Sequence, residues 1–183
     1  MHKKVTVREY IIILVLSISL AIGLNNVLLL LHLEQYSKAY QEAVKALYSP
    51  GLLEQIFVTC ISVPIIEELL FRGVVFKVLR RWIPFAFAML ISSVLFGLYH
   101  GNLVQFIYAT ICGLMLAYFY ERYRSIIAPI IAHIAMNLVA VLFTEYGVFL
   151  WMLGHLYRAI AIAALCFAMF GFSLYCLNKD KAK

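Results

Sequence analysis

A chain of 183 residues that is 65% hydrophobic and only 13% Asp, Glu, Lys and Arg has too little interior to hide its apolar surface as a water-soluble domain. Its mean hydropathy of +0.95 points the same way. The formal charge of +6 would suit nucleic acid, but the basic residues sit in short clusters at helix ends rather than on one face, so nucleic acid is not expected as a partner.

Taken in chain order, the uncharged runs predict an all-α, polytopic bundle of about six transmembrane helices forming a single domain over 1–183. The first run, 10–33, is too long for a signal-peptide core and lacks a small-residue exit, so it is expected to remain as a span. Residues 32–51 follow, where Leu33, Tyr36, Ala39, Tyr40, Ala43, Val44 and Leu47 recur at helical spacing beside Glu34, Lys38, Glu42 and Lys45. That pattern predicts an amphipathic helix on the membrane interface, or else a plain connector. A second span covers 52–79, interrupted by Glu67, Glu68, Arg72 and Lys77. The run 82–120 is long enough for two spans, broken at His100-Gly101-Asn102; 125–144 and 159–178 complete the set. Between the last two, Trp151 and Tyr157 suit an interfacial belt.

Charge distribution gives the expected orientation. Lys3, Lys4 and Arg8, then Lys77, Arg80 and Arg81, then Arg122 and Arg124, then Lys179, Lys181 and Lys183 fall on one side of a six-span arrangement, while the other side keeps Lys38, Lys45 and Arg158. The positive-inside rule then makes both termini cytoplasmic in a multi-pass protein of the cell membrane, with the lipid bilayer as its constant partner. Cys60, Cys112, Cys166 and Cys176 have no C-x-x-C spacing and read as soft core residues rather than disulfide or metal positions.

Three short patterns carry the chemistry. Each ionised group held in hydrocarbon costs about 2.5–3.5 kcal/mol on insertion scales, so charges inside a span are expected to face a partner, a cavity or a substrate. Glu68 and Arg72, four apart, share a helix face, whereas Glu67 is turned about 100° away and is left unpaired, poised to act as a general base. Pro64 removes an N–H that would bond the carbonyl of Cys60 and loosens the helix one turn earlier. A buried Glu-Glu-Arg cluster could also simply staple helices. The second pattern is Phe96-x-x-x-His100, and the third is His133-x-x-x-Asn137, each pairing i with i+4. Taken singly, either histidine could equally be an interhelical hydrogen-bond donor, and Gly97 with Gly101 could mark close helix packing. Together they provide a base for water and donors for the oxyanion of a tetrahedral intermediate. No G-x-S-x-G is present, and Ser92 and Ser93 have no evident coupling to His100.

The ordered set Glu67-Glu68-x-x-x-Arg72, Phe96-x-x-x-His100 and His133-x-x-x-Asn137 resembles the three signatures of the CPBP (Abi) family, which includes type II CAAX prenyl endopeptidases and bacteriocin-processing or bacteriocin-immunity proteins. The resemblance covers a core of 52–143, and every motif position is intact. It implies an intramembrane endopeptidase of glutamic type acting on a membrane-associated peptide or protein, with no cofactor and no metal. Glu67 would be the catalytic carboxylate and His100 its partner on the water. His133 and Asn137 would hold the oxyanion, Glu68 and Arg72 would support them, and Phe96 would pack nearby. Two alternatives stand beside this: a zinc hydrolase with Glu67, His100 and His133 as ligands, though no H-E-x-x-H is present, and a non-catalytic membrane partner such as an immunity protein. One feature fits poorly. Measured from the basic residues at about 1.5 Å per residue, Glu67 and His133 come out roughly 12–15 Å deep and His100 about 27 Å, unless the third helix is tilted or begins deeper, near Pro84.

Overall fold

The computed structural model describes residues 5–179, so the part of the expected basic cluster formed by Lys3, Lys4, Lys181 and Lys183 lies outside the described residues. The fold is an all-α bundle. Helix α1 (Val7–Leu30) opens with a capping box in which Thr6 and Glu9 satisfy each other's backbone N–H groups. A 3-10 turn, Leu33–Tyr36, leads to the amphipathic α2 (Lys38–Tyr48), capped by Ser37. Helix α3 runs without a break from 52 to 82, its hydrogen bonding widening to π over Ile56–Ser62 and again over Leu69–Phe76. Then come α4 (Phe85–Tyr99), α5 (Leu103–Tyr123), α6 (Ile127–Glu145), the short α7 (Val148–Leu153) and α8 (Leu156–Lys179).

Four of these helices, α1, α5, α6 and α8, are long and apolar enough to cross a membrane; α4 is apolar but shorter, and α3 carries the charged motif. Ile13, Leu16, Leu20, Leu116, Phe119, Ala132 and Met136 form the main core, where α1, α5 and α6 meet. A wide outer belt of exposed Leu, Ile, Phe and Trp side chains faces the lipid, the inverse of a soluble surface. The amphipathic segment expected over 32–51 is thus a helix, and it contributes no fully buried residue. Burial of its inner face pushes the phenols of Tyr40 and Tyr48 above the ordinary tyrosine value, so both stay neutral near pH 7.

The two ends of the bundle differ. At one end Arg80 reaches Glu121 at 2.9 Å, Arg124 shares that carboxylate at 2.8 Å, and Arg122 donates to the carbonyl of Leu177 at 2.5 Å and lies 4.0 Å from Glu9. The start of α1 and the ends of α3, α5 and α8 are therefore gathered together at this basic end. The opposite end is formed by α2, α7 and the α4–α5 turn.

Candidate active site

The site begins with the i, i+4 geometry of α3. Glu68 accepts a hydrogen bond from Arg72 Nη1 at 2.7 Å, with both side chains fully buried. Arg72 continues across the bundle, donating from Nη2 to the carbonyl of Gly113 at 3.0 Å, and its guanidinium carbon lies 4.6 Å from the centroid of the Phe96 ring. Gly113 permits this approach: a Cβ there would stand 3.0 Å from that of Ser93 and 3.1 Å from Arg72 Nη2. Glycine inside a helix lowers its stability, so Gly113 was a visible marker of close backbone approach, and the sequence reading passed over it.

Glu67, a residue away, turns toward the interior cavity. His133 sits between the two glutamates. Its Nδ1 donates to Glu68 Oε1 at 2.9 Å, and its Nε2 stands 3.7 Å from Glu67 Oε2. One turn further along α6, Asn137 spends one amide hydrogen on the carbonyl of Thr59 at 2.9 Å. That acceptor lies in the first π segment, and Ser62 bonds the carbonyl of Phe57, five residues back, as such a segment allows. Pro64 follows directly. Its missing N–H thus falls directly beside the widened turns, and π segments of this kind concentrate at functional sites.

His100 caps the end of α4, and its Nδ1 donates to the carbonyl of Phe96 at 2.9 Å. This bond fixes the tautomer: the neutral ring keeps Nε2 as an acceptor. Asn102 holds the turn by donating to the carbonyl of His100 at 3.1 Å and capping α5 through Gln105 N at 2.9 Å. Phe96 is the hub, with its ring centroid 5.0 Å from Phe71, 5.1 Å from His100 and 5.7 Å from His133, all edge-on.

The three residues come to one level in this fold: His133 Nε2 lies 3.7 Å from Glu67 Oε2, and the Phe96 ring centroid lies 5.1 Å from His100 and 5.7 Å from His133. Counted from the turn at 83–84, Glu67 lies as many residues before Trp82 as His100 lies after Phe85. Lys77, expected as an interruption within the second span, lies a turn inside α3, and Arg80 closes the helix by donating to Ile83 O at 3.1 Å. Pro84 marks the start of α4 as expected.

Glu67, Phe96, His100, His133 and Asn137 all line one cavity of about 790 Å³, roofed by α2. The remainder of the lining is mostly aliphatic and aromatic, the form typical of a site that holds a ligand by shape and a few polar groups. Ser92 and Ser93 take no part, since their hydroxyls donate to the carbonyls of Phe71 at 3.2 Å and Met89 at 2.7 Å. The four cysteines are unpaired; three are buried and Cys176 is partly so. Among the described residues no group of three His, Cys, Asp or Glu side chains has metal-holding geometry.

Comparison with known proteins matches residues 49–139 to the family described as type II CAAX prenyl endopeptidase Rce1-like. The chain is also 41% identical over 87 residues to a Bacillus subtilis protein described as "Putative membrane peptidase YdiL". That alignment takes in 48% of this chain and 36% of the relative, so the chain matches little more than a third of that protein's length. No solved structure matches. The family match takes in all seven motif residues, and residues 49–139, just under half of the chain, are similar to the Rce1-like family; with the likeness to the Bacillus protein this supports a CAAX-type membrane protease.

Proposed function

We propose that this protein is an intramembrane endopeptidase that hydrolyses a peptide bond of a membrane-associated protein or peptide, using water activated by Glu67 and His100. The observation that carries the reading is the convergence of three motifs from α3, α4 and α6 on one cavity inside an apolar bundle. A structural staple would need Glu68 and Arg72 only. Glu67 has no arginine partner and faces a space large enough for a short stretch of extended peptide.

Water held between Glu67 and Nε2 of His100 loses a proton to the carboxylate as its oxygen attacks the scissile carbonyl carbon. The carbonyl π electrons move to oxygen, where the second amide hydrogen of Asn137 can donate. His133, oriented by its Nδ1 bond to Glu68, donates from Nε2 to the same oxygen in its doubly protonated form. When the tetrahedral intermediate collapses, the C–N bond breaks and the leaving nitrogen takes the proton held by Glu67. Arg72 neutralises Glu68, so that Glu68 orients His133 rather than competing for the water proton.

Basic side chains of Arg80, Arg81, Arg122 and Arg124 at one end support an orientation with that end, and hence both termini, in the cytoplasm. The test of the function is turnover. Purified, reconstituted wild-type protein is expected to cleave peptides from a membrane-protein digest that Glu67→Ala leaves intact; equal cleavage by the two would refute the reading.

A further inference from the structure

The side of the membrane from which the cavity is reached can be read from which residues line it. On α3 they are Thr59, Val63 and Glu67, and none lies beyond Glu67; on α5 none lies beyond Cys112. On α1 they begin only at Asn25. The cavity thus occupies the half of the bundle next to α2, and its floor is at the level of the motif residues.

Below that floor the protein is closed. The Glu68–Arg72–Gly113 bridge crosses the bundle directly under Glu67. Beneath it Phe76, Ala88 and Ala117 pack without solvent contact, and Phe76 stacks edge-on with Phe85 and Tyr120 at 6.3 and 5.6 Å. Only past this plug does the Arg80–Glu121–Arg124 cluster begin. A polypeptide arriving at the basic end meets a fully buried ion pair and an aromatic layer. One arriving at the α2 end meets the cavity's rim, where Glu34, Gln41 and Lys45 are among the lining residues. Among the described residues, the Lys and Arg of that end are Lys38, Lys45 and Arg158, set against Glu34, Glu42, Glu54 and Glu145. By the positive-inside rule it is the extracytoplasmic end.

We propose that the site is served from the extracytoplasmic face, and that its substrates are peptide segments already carried across the membrane or the outer ends of membrane-spanning helices. This rests on the endopeptidase reading above. It excludes tails presented from the cytoplasm. The substrate's own backbone favours the same route, because an unwound segment needs polar partners for its N–H and C=O groups until it is seated among the site's donors.

The test uses the full chain in sealed membrane vesicles of both orientations, with a charged, membrane-impermeant maleimide as probe. Ala140→Cys places a thiol in the cavity wall, Lys45→Cys one at the rim, and Arg81→Cys one at the basic end. Labelling is read as the increment over the parent chain, which keeps its four native cysteines, so no cysteine-free background has to fold. Ala140→Cys and Lys45→Cys are expected to react in right-side-out vesicles and to be protected in inverted ones, with Arg81→Cys the reverse. The opposite pattern would overturn the proposal, as would Ala140→Cys reacting from neither face while the other two behave as expected. A polar, quenched-fluorescent peptide library is then added to the same vesicles, with Glu67→Ala as control. Cleavage by right-side-out vesicles alone is expected. Cleavage by inverted vesicles alone would overturn the sidedness and leave proteolysis standing. Cleavage by neither, even after detergent opens the vesicles, would overturn the endopeptidase reading and the substrate class with it, whatever the labelling shows.

Discussion

Replacing Arg72 with methionine removes a charge while keeping most of the side-chain volume, and the structure sets the scale of the loss. Glu68 would stay fully buried, deprived of its 2.7 Å partner, and the Gly113 carbonyl would lose a donor at 3.0 Å. Breaking one side of a buried pair costs on the order of 3–5 kcal/mol. His133 still offers Glu68 a hydrogen bond at 2.9 Å, which places the expected loss toward the lower figure, about 3 kcal/mol. Combining Arg72→Met with Glu68→Gln leaves no unpaired charge, so the double variant should be less destabilised than the sum of the two single changes. The measurement is unfolding of the purified protein in mixed detergent micelles by increasing dodecyl sulfate, followed by helical ellipticity, for the wild type, both single variants and the double. If Arg72→Met unfolds with the wild type and has merely lost activity, Arg72 acts in the reaction and the structural assignment is wrong.

Other outcomes follow from the same geometry. Asn137→Ala should reduce turnover by about 10²–10³, the usual effect of removing one oxyanion donor, whereas Glu67→Ala should abolish it; comparable losses in a single-turnover assay would remove the distinction between water activation and carbonyl binding. Gly97→Ala should separate α4 from α5, since its Cβ would stand 2.7 Å from the carbonyl of Phe106 and against Thr110 Oγ1, with a cost of about 1–3 kcal/mol in the same unfolding assay. Chelators should leave turnover of the reconstituted protein unchanged. Abolition by chelator and restoration by zinc, with stoichiometric bound metal, would reassign Glu67, His100 and His133 as ligands.

The Glu68–Arg72 pair was legible because both partners lie on one helix, where spacing alone decides whether they meet. The spans were legible because a lipid-facing helix has to be apolar over its whole length. What joins the motifs was not. His133 reaches Glu68 from 65 positions away, and Asn137 reaches Thr59 from 78, contacts that depend on how α6 leans across α3. The expected division of roles put His133 on the oxyanion; its 2.9 Å bond to Glu68 adds a second partner that no spacing rule would supply. The depth estimate misled because it was counted from basic residues, and a basic residue such as Lys77 does not mark the membrane edge. Its exposed side chain can extend toward the interface from a backbone position a turn inside.

The widened turns in α3 bear on how this helix can change length. A π turn closes its hydrogen bond over one more residue than an α turn, so removing one residue from Ile56–Ser62 can convert it to ordinary helix without losing a bond. Because the π turn already fits that extra residue into a turn, its removal would leave the parts on either side at nearly the same bearing. The Arg72 bridge anchors the downstream part, so Glu67 would keep its direction, and Leu52–Gln55 with α2 beyond them would keep theirs. The π segment therefore buffers sequence length upstream of the glutamates. A single-residue deletion there would spare both the roof over the cavity and the motif, whereas the same deletion between Glu67 and Arg72 would break the i, i+4 pair.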